Sequence, residues 1–229
     1  MSFLEIYNEQ IRDLIMPSQS GLELREDPRN GIQIQGLSVF EVRNQNQIFE
    51  LLAQGNANRT QESTMTNQTS SRSHAVLMIT YHNNNLDMNN YAEVKSGKLS
   101  LIDLAGSERA SRTGNTGLRM KEGANINKSL LALGNCINVL YENSRTGQSN
   151  HVPFRDSKLT RILKESLTGN SKTLMIANIS PSGQNYEDTL NTLKYANRTK
   201  NLKTKMKRNV TLPPVNDAAL IEKQNQHIS

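Results

Sequence analysis

The hydrophobic pattern along the chain predicts several strands, three of them buried. Ala75–Tyr81 is almost continuously apolar, which is typical of a strand that is buried on both faces. Lys98–Leu104 and Thr173–Ile179 have a similar apolar content and are predicted to be buried strands as well. A short strand is predicted at Ser2–Tyr7, and apolar–polar alternation predicts peripheral strands at Leu22–Arg25 and Gly31–Val42.

Helical periodicity is strongest in Ala124–Tyr141, where Leu130, Leu133, Ile137 and Leu140 fall on one face. Other helices are predicted at Asn46–Asn56, at Glu187–Leu202, and after Asp156, the expected N-cap of a helix with Leu159, Ile162, Leu163 and Leu167 that ends at Gly169. The remaining segments are predicted to be a short helical or irregular stretch after Tyr7 as far as Ile15, a loop at Arg59–Ser73, a hairpin tip at His82–Asn90 and a loop at Ser107–Gly123. Because buried strands alternate with helices, we predict an α/β sheet protein with a C-terminal extension.

Composition and charge narrow the possible partners. The net charge of +6 and a pI near 9.5 indicate an acidic partner surface, which nucleic acid, anionic membrane or acidic protein segments could each provide. Cys136 is the only cysteine, so neither an intramolecular disulfide nor a cysteine-based metal site is expected. The first residues do not resemble a signal peptide, and no apolar run approaches the length of a membrane span. We therefore expect a cytosolic protein.

Two loops beside predicted buried strands carry candidate chemistry. The first is Asn67–His74, N-Q-T-S-S-R-S-H, which precedes the strand at Ala75. The second is Asp103–Glu108, D-L-A-G-S-E, which follows the strand at Lys98. A carboxylate at the end of a strand can organise the surroundings of Mg²⁺, and a glycine N–H can approach a phosphate oxygen closely. Clustered hydroxyl groups can supply a metal ligand and hydrogen bonds to phosphate.

Each loop alone is more often an ordinary turn or a solvated loop, but the pair resembles the switch I and switch II signatures of the kinesin motor domain family. The resemblance continues through segments that are similar to other kinesin motor elements, at Phe3–Leu14, Asn125–Leu133, His151–Leu163 and Leu193–Asn197. Within the family, the chain looks most like the kinesin-eight subfamily. The resemblance implies a P-loop NTPase-like α/β sheet flanked by helices, with ATP and Mg²⁺ as cofactors.

The resemblance also implies roles for individual residues. Ser71 would ligate Mg²⁺, and Asn67 and Ser70 would bond the γ-phosphate side. Asp103 would lie in the outer coordination sphere of the metal, and Gly106 would sense the γ-phosphate through its N–H.

A closing latch is implied between the two switches. Arg72 and Glu108 would pair when the switches close and would thereby position the attacking water. A charge-assisted Arg–carboxylate pair is strong and directional where water is excluded, which suits this role. Without the two motifs around them, the same residues would be read as unrelated surface charges.

Basic residues form a candidate partner surface. Lys158, Arg161 and Lys164 are three residues apart and share a helix face. Together with residues of two flanking loops they match the kinesin elements that contact tubulin, and the whole set is Arg109, Arg119, Lys121, His151, Arg155, Lys158, Arg161 and Lys164. The resemblance therefore favours microtubules as the partner over nucleic acid or membrane, with a location in the cytoplasm on the microtubule cytoskeleton.

The resemblance divides the chain into a partial motor domain at 1–202, a basic segment at 203–215 similar to a neck linker, and the start of a neck or tail at 216–229. The stretch from Lys194 to Arg208 holds seven Lys or Arg residues and no acidic residue. In kinesins the neck linker docks along the motor core when nucleotide closes the switches, although a frayed basic tail is nearly as good an interpretation here. A homodimer through a downstream coiled coil is also a possible arrangement.

One kinesin element is not found in the sequence. No G-x-x-x-x-G-K-[ST] motif, which would cradle the phosphates, occurs in the 229 residues. In the family, the strand before that loop lies in the middle of the sheet, between the strands predicted at Lys98 and Thr173. We therefore expect an incomplete sheet with uncovered apolar side chains, and we predict that this chain alone neither binds ATP tightly nor hydrolyses it.

Four functions were compared. An ATP-driven microtubule motor, seen in part, explains both switch motifs. A non-catalytic microtubule-binding module would not need two intact switches. A nucleic-acid-binding domain lacks support, because the sequence has no recognition-helix pattern and no aromatic residues interleaved with the basic ones. Another P-loop nucleotidase, such as a small GTPase, does not account for the S-S-R-S-H loop.

Overall fold

The computed structural model describes residues 1–18, 20–27, 31–64, 72–86, 92–106, 118–202, 204 and 210–211. Within its helices and strands, the side chains of 60–64, 83–86, 92–95, 118–127 and 210–211 are not described. The strands are β1 Ser2–Tyr7, β2 Gln10–Asp13, β3 Glu23–Asp27, β4 Gly31–Gln35, β5 His74–Leu86, β6 Ala92–Asp103 and β7 Val210–Thr211. The helices are α1 Gln45–Thr64, α2 Leu118–Thr146, α3 Lys158–Thr168 and α4 Tyr186–Thr199, with single 3₁₀ turns at Phe154–Asp156 and Gly183–Asn185.

Five strands form a sheet in the order β2-β1-β5-β6-β7, and β3 pairs with β4 in a separate two-stranded sheet. The chain divides into two units, one of Met1–Leu77 with Leu101–Met206 and one of Met78–Ser100 with Lys207–Ser229. The predicted strands β1, β5 and β6 and the peripheral pair are therefore confirmed as strands, although β4 ends at Gln35 and not at the predicted Val42. The predicted burial of β5 and β6 holds only in part, since Tyr81 and Leu99 are 64% and 55% exposed. None of the helices in the described ranges is long and apolar enough to cross a membrane.

The segment after β1 is a strand, so the predicted helical or irregular stretch is wrong. β1 and β2 form an antiparallel hairpin in which Tyr7 pairs with Gln10. The two residues of the turn, Asn8 and Glu9, have positive φ angles of 51° and 58°. Two successive positive φ angles fit the right-handed twist of a hairpin, but the turn lacks the Asn-Gly pair that usually announces it. Ile11, in β2, is completely buried.

Helix α1 is longer than predicted, and Arg59–Thr64 belongs to it rather than to a loop. Gly55 allows α1 to lie directly on β1, because a Cβ atom at this position would collide with the ring of Phe3. Two α1 side chains also bond the backbone after β2: Gln54 Nε2 donates to the Ile15 carbonyl at 2.9 Å, and Asn58 Nδ2 donates to the Leu14 carbonyl at 2.7 Å. These contacts continue the helix beyond the apolar periodicity from which it was predicted.

The long helix α2 is confirmed, and it begins at Leu118, within the segment predicted as a loop. Of the predicted face, Ile137 is buried, whereas Leu130, Leu133 and Leu140 are half-buried. Among the described side chains of α2, Ser129, Ala132 and Cys136 are buried as well. Part of the inward face is therefore small or polar, which the hydrophobic pattern could not indicate.

Helix α3 begins one residue later than predicted, because Ser157 and not Asp156 is its N-cap. The Ser157 hydroxyl accepts a hydrogen bond from the Leu159 N–H at 3.1 Å. Glu9 completes the cap, since its carboxylate accepts from the Ser157 hydroxyl at 2.8 Å and from the Lys158 N–H at 2.7 Å. A carboxylate is favourable at a helix N-terminus, where the backbone N–H groups point outward. The predicted end at Gly169 and the buried leucines Leu159, Leu163 and Leu167 are confirmed, whereas Ile162 is only half-buried.

The prediction of a buried strand at Thr173–Ile179 is wrong: this segment has no regular structure. Leu174 and Ile176 are 83% and 76% exposed, and Leu101 of β6 is 53% exposed. A strand needs hydrogen-bonding neighbours, and none of the described strands pairs with this segment. The uncovered apolar side chains expected for an incomplete sheet are therefore present.

Helix α4 is confirmed near its predicted position, but the apolar side chains of Leu190 and Leu193, which were expected to point inward, are only partly covered. Leu190 and Leu193 are 36% and 46% exposed. The other side of α4 does have a partner, because the Tyr195 ring lies against Gly134 of α2 and Arg198 bonds the side chain of Asn138.

In the second unit, β7 pairs antiparallel with β6, with Val94 opposite Thr211 and Lys95 opposite Val210. β7 lies within the expected neck-linker segment 203–215, of which the structure otherwise describes only Thr204. The expected start of a neck or tail, 216–229, lies outside the described residues, as do 87–90 of the predicted hairpin tip and 107–117 of the predicted loop. The first part of the predicted tip, 82–86, belongs to β5.

We predict that Ser157→Ala lowers the free energy of unfolding by about 1 kcal/mol, the usual effect of losing a side-chain cap. Ser182→Ala is the matched control, since Ser182 occupies an N-cap position without a side-chain hydrogen bond. Urea unfolding of both variants, followed by circular dichroism, measures the difference. Equal stability of the two variants would contradict the assigned cap.

Candidate functional site

His74, the last residue of the first motif, links three elements. It begins β5 and is only 2% exposed. Its Nδ1 accepts a hydrogen bond from the Ala105 N–H at 3.0 Å, and its Nε2 lies 2.7 Å from the Ser129 hydroxyl oxygen on α2. Because a backbone N–H can only donate, Nδ1 carries no proton, and Nε2–H is the donor to Ser129. The two sequence motifs and α2 thus meet at one imidazole.

The surroundings of His74 keep it neutral. Burial is the largest cause and lowers the pKa to about 4, from an ordinary value of 6.5. The Arg59 guanidinium lowers the pKa further, and the Asp103 carboxylate opposes this effect. The neutral ring is the form that the Ala105 bond requires, so electrostatics and hydrogen bonding agree.

Arg59 of α1 holds the end of β6. Its Nη1 donates to Asp103 Oδ2 at 3.1 Å, its Nη2 donates to the Ser73 carbonyl at 3.1 Å, and its Nε lies 3.3 Å from the Ser73 hydroxyl. Its Nε is also 3.6 Å from Glu5 Oε1 of β1. The Arg59 and Glu5 side chains are 11% and 2% exposed, whereas the Asp103 side chain is 72% exposed. A nearly buried guanidinium therefore orients a carboxylate that remains open to solvent.

The structure places three of the residues predicted for nucleotide chemistry. Asp103 ends β6, Gly106 follows one residue after Ala105, and Arg72 lies half-buried just before β5. Asn67, Ser70, Ser71 and Glu108 lie outside the described residues, so the Arg72–Glu108 latch and the Ser71 metal ligand stay predictions.

Asp103 and Gly106 fit the sensing side of a nucleotide–magnesium site. The Asp103 carboxylate is solvent-accessible at the end of a strand, with one oxygen oriented by Arg59, and Gly106 has no side chain to obstruct its N–H. Among the described side chains, no group of three or more His, Cys, Asp or Glu could hold a metal by itself. The 229 residues also contain no phosphate-cradling motif. Asp103 and Gly106 therefore fit the γ-phosphate-sensing side of such a site, but the loop that would cradle the phosphates is not in the sequence.

Basic residues around α3 form a second candidate site, which we call the α3 basic face: His151, Arg155, Lys158, Arg161 and Lys164. His151 and Arg155 are exposed, and the other three are half-buried. Glu26 of β3 neutralises part of this face, because Lys164 Nζ donates to it at 2.6 Å and Arg155 Nη2 lies 3.6 Å from it. The hydrogen bond from Lys164 is the main cause that lowers the pKa of Glu26. The remaining predicted contacts are Arg109, which is not described, and Arg119 and Lys121, whose side chains are not described.

Sequence reasoning missed several residues of these sites. Arg59 was assigned to a loop and Glu5 to an ordinary strand position, and Glu26 lay just beyond the predicted strand Leu22–Arg25. Ser129 was not predicted to be buried, because the buried face of its helix was predicted from the apolar residues alone. The one available signal was chemical, since a charged residue such as Glu5 inside an otherwise apolar strand requires a buried partner.

We predict that acid destabilises the first unit through His74. A folded-state pKa near 4 lies below the ordinary value, so the stabilising contribution is complete above about pH 6.5 and is lost between pH 6.5 and 4. The free energy of unfolding should fall by about 2 kcal/mol more from pH 7.5 to 5 in the unchanged chain than in His74→Asn. Urea titrations at both pH values measure this difference, with exposed His82→Gln as the control. The same acid sensitivity in His74→Asn would assign the effect to other groups.

Comparison with known proteins agrees with the geometry. A family model described as the kinesin motor domain matches residues 1–202. The human kinesin-like protein KIF19 is 57% identical over 210 residues, covering 92% of this chain and 21% of that protein. The Arabidopsis thaliana kinesin-like protein KIN-8B is 53% identical over 209 residues, covering 91% and 25%. The chain therefore spans about a fifth to a quarter of the length of these curated relatives.

A solved structure supports the same assignment. It is a KIF14 dimer in a two-heads-bound state with AMP-PNP, in complex with a microtubule, and it resembles this chain with a TM-score of 0.81 and 40% identity. The match covers 96% of this chain and 62% of that one. The expected fold class and the resemblance to kinesin-eight proteins are both confirmed. The chain belongs to the kinesin motor domain family.

Proposed function

We propose that the chain is the switch-bearing and microtubule-facing part of a motor that couples ATP hydrolysis to movement along microtubules. The observation that carries the proposal is the meeting of both switch motifs with α2 at His74. A motor needs such a connection, because the state of the nucleotide must reach the elements that face the track. The protein would accordingly act in the cytoplasm, on the microtubule cytoskeleton.

The proposed nucleotide chemistry uses residues of both loops. When bound, Mg²⁺-ATP supplies the γ-phosphate whose presence or absence distinguishes the two states of the switches. Ser71 is proposed to ligate the metal, with Asn67 and Ser70 toward the γ-phosphate. Asp103, which Arg59 orients, would lie in the outer coordination sphere of the metal, and Gly106 would offer its N–H to the γ-phosphate.

The proposed latch closes the nucleotide site around the attacking water. Arg72 and Glu108 would pair across the two loops, and their pairing would orient the attacking water. Arg72 is half-buried at the start of β5, which limits the positions its guanidinium can reach.

The α3 basic face is the proposed contact with the acidic microtubule surface, together with Arg109, Arg119 and Lys121. The related KIF14 structure was determined in complex with a microtubule. Here Ser157 and Glu9 fix the start of α3, so the basic face is held rigidly on the hairpin of β1 and β2. Segment 203–215 is proposed as the neck linker and 216–229 as the start of a neck or tail, with a homodimer through a downstream coiled coil as a further possibility.

A second candidate is a microtubule-binding module without catalysis. The observation that favours it is that the 229 residues contain no G-x-x-x-x-G-K-[ST] motif. This candidate requires that binding to microtubules is unaffected by nucleotide, whereas the motor proposal requires a response to ATP once a phosphate cradle is present.

We predict salt-sensitive cosedimentation of the chain with microtubules, because the proposed contact is between opposite charges near the surface. Lys158→Ala should weaken binding by about threefold, and Glu26→Gln should strengthen it by about twofold by releasing Lys164 and Arg155. Lys172→Ala, a change of an exposed lysine outside α3, is the control. Binding that is equally strong in all three variants would remove the α3 basic face from the interface.

We also predict that the 229-residue chain binds ATP too weakly for a stoichiometric signal, since Asp103 and Gly106 provide only the sensing side of a site. Isothermal titration calorimetry with Mg²⁺-ATP, and release of phosphate with and without microtubules, test this prediction. Stoichiometric binding at micromolar ATP would show that other residues of the chain replace the phosphate cradle.

A further inference from the structure

We infer that His74 is a positioning residue that couples α2 to the Asp103–Gly106 loop through a fixed imidazole tautomer. Its importance for a motor rests on the function proposed above. The coupling itself is a property of this chain and can be tested without nucleotide or microtubules.

The coupling follows from the chemistry of a neutral imidazole, which has one N–H and one acceptor nitrogen. The acceptor Nδ1 serves the Ala105 N–H, and the donor Nε2–H serves the Ser129 hydroxyl. These two bonds depend on each other. If the proton moved to Nδ1, two N–H groups would face one another, and Ala105 would lose its acceptor.

Burial prevents water from replacing either bond. His74 and Ser129 are each 2% exposed, and Ala105 is 5% exposed. A buried N–H without an acceptor is costly, so the Ala105 backbone must move when the tautomer changes. The charged groups around the ring, Arg59 of α1 and Asp103 of β6, act in opposite directions on its protonation. The Ala105 N–H, which can only donate, fixes the tautomer, and the Ser129 hydroxyl holds the Nε2–H.

The positions of the two partners show which parts of the chain the coupling connects. Ala105 immediately precedes Gly106, whose N–H is the proposed phosphate sensor. Ser129 lies on α2, which packs against α3, the helix that carries most of the basic face. A shift of α2 that withdraws the Ser129 hydroxyl would leave the buried Nε2–H without an acceptor, so the ring would move and its bond to the Ala105 N–H would weaken. The same chain of bonds works in reverse when the loop moves.

Two isosteric variants separate the halves of the link. In His74→Asn, the amide oxygen takes the place of Nδ1, so an acceptor for Ala105 remains and the tautomer is abolished. In His74→Gln, the amide nitrogen takes the place of Nε2, so a donor for Ser129 remains and the Ala105 acceptor is lost. A residue that merely fills space would not distinguish these two replacements.

The test measures hydrogen exchange of the Ala105 amide, with ¹⁵N chemical shifts of the imidazole to report the tautomer. Ser129→Ala should leave the buried Nε2–H without its acceptor, loosen the ring and accelerate exchange at Ala105 by about tenfold or more, although the substitution lies beyond the ring. The Nε2–H tautomer should persist, because the Ala105 N–H still faces Nδ1. The control is Ser144→Ala, the same change at an exposed position of α2, which should leave both signals unchanged.

The double variant supplies the decisive comparison. In His74→Asn, Ser129→Ala should no longer affect Ala105, because the asparagine has no N–H in the place of Nε2 and no longer connects the two partners. His74→Gln should show the fast exchange of Ser129→Ala, and His74→Asn should stay within about threefold of the unchanged chain.

Three results would overturn the inference. They are an Nδ1–H tautomer in the unchanged chain, an unaltered Ala105 amide in folded Ser129→Ala, and identical exchange in His74→Asn and His74→Gln. If a variant fails to fold, the ¹⁵N measurement on the unchanged chain still tests the inference, because an Nδ1–H tautomer there would contradict it. Loss of microtubule cosedimentation, measured separately, would count against the proposed function and leave the coupling standing.

Discussion

Polar side chains in the interior of the first unit must find their partners within the protein, and the candidate site depends on this constraint. Glu5, Arg59 and His74 are all nearly inaccessible to water. Arg59 reaches Ser73 and Asp103 only when α1, β5 and the end of β6 hold their observed positions. A buried guanidinium without these partners would be strongly unfavourable. The polar core therefore fixes the position of the loop that follows β6.

Chain segments with long apolar patterns and distinctive motifs could be predicted from the sequence. β5 and β6 each contain an apolar run long enough to identify a strand, and α2 contains apolar residues at helical spacing. The two motifs also predicted that the residues around His74 and Asp103 lie close together, and the Ala105 N–H does bond the His74 ring. The predicted roles of those residues were less complete, because a motif names residue types and does not say which buried groups support them.

The errors came from elements whose stability is tertiary. β2 has only four residues and a turn without glycine, so its pairing with β1 could not be seen in its own sequence. The end of α1 is polar, so its own sequence does not predict a helix there. The helix nevertheless includes Arg59, because the partners of Arg59 lie on β1, just before β5 and at the end of β6. Asp156 and Ser157 are both good N-caps, and Glu9, distant in sequence, is bound by the second. Local propensity cannot decide between such alternatives.

The failed strand at Thr173–Ile179 has a different cause, since its apolar pattern is that of a buried strand. Leu174, Ile176 and Ile179 face solvent, as do Leu101 of β6 and Leu190 of α4. Covering each such side chain is worth roughly 1.5–3 kcal/mol, so together they approach the whole stability of a domain, about 5–15 kcal/mol. The kinesin resemblance implies that one strand covers this region and leads into the phosphate cradle. The uncovered apolar surface and the one-sided nucleotide site would then be two consequences of the same missing contact.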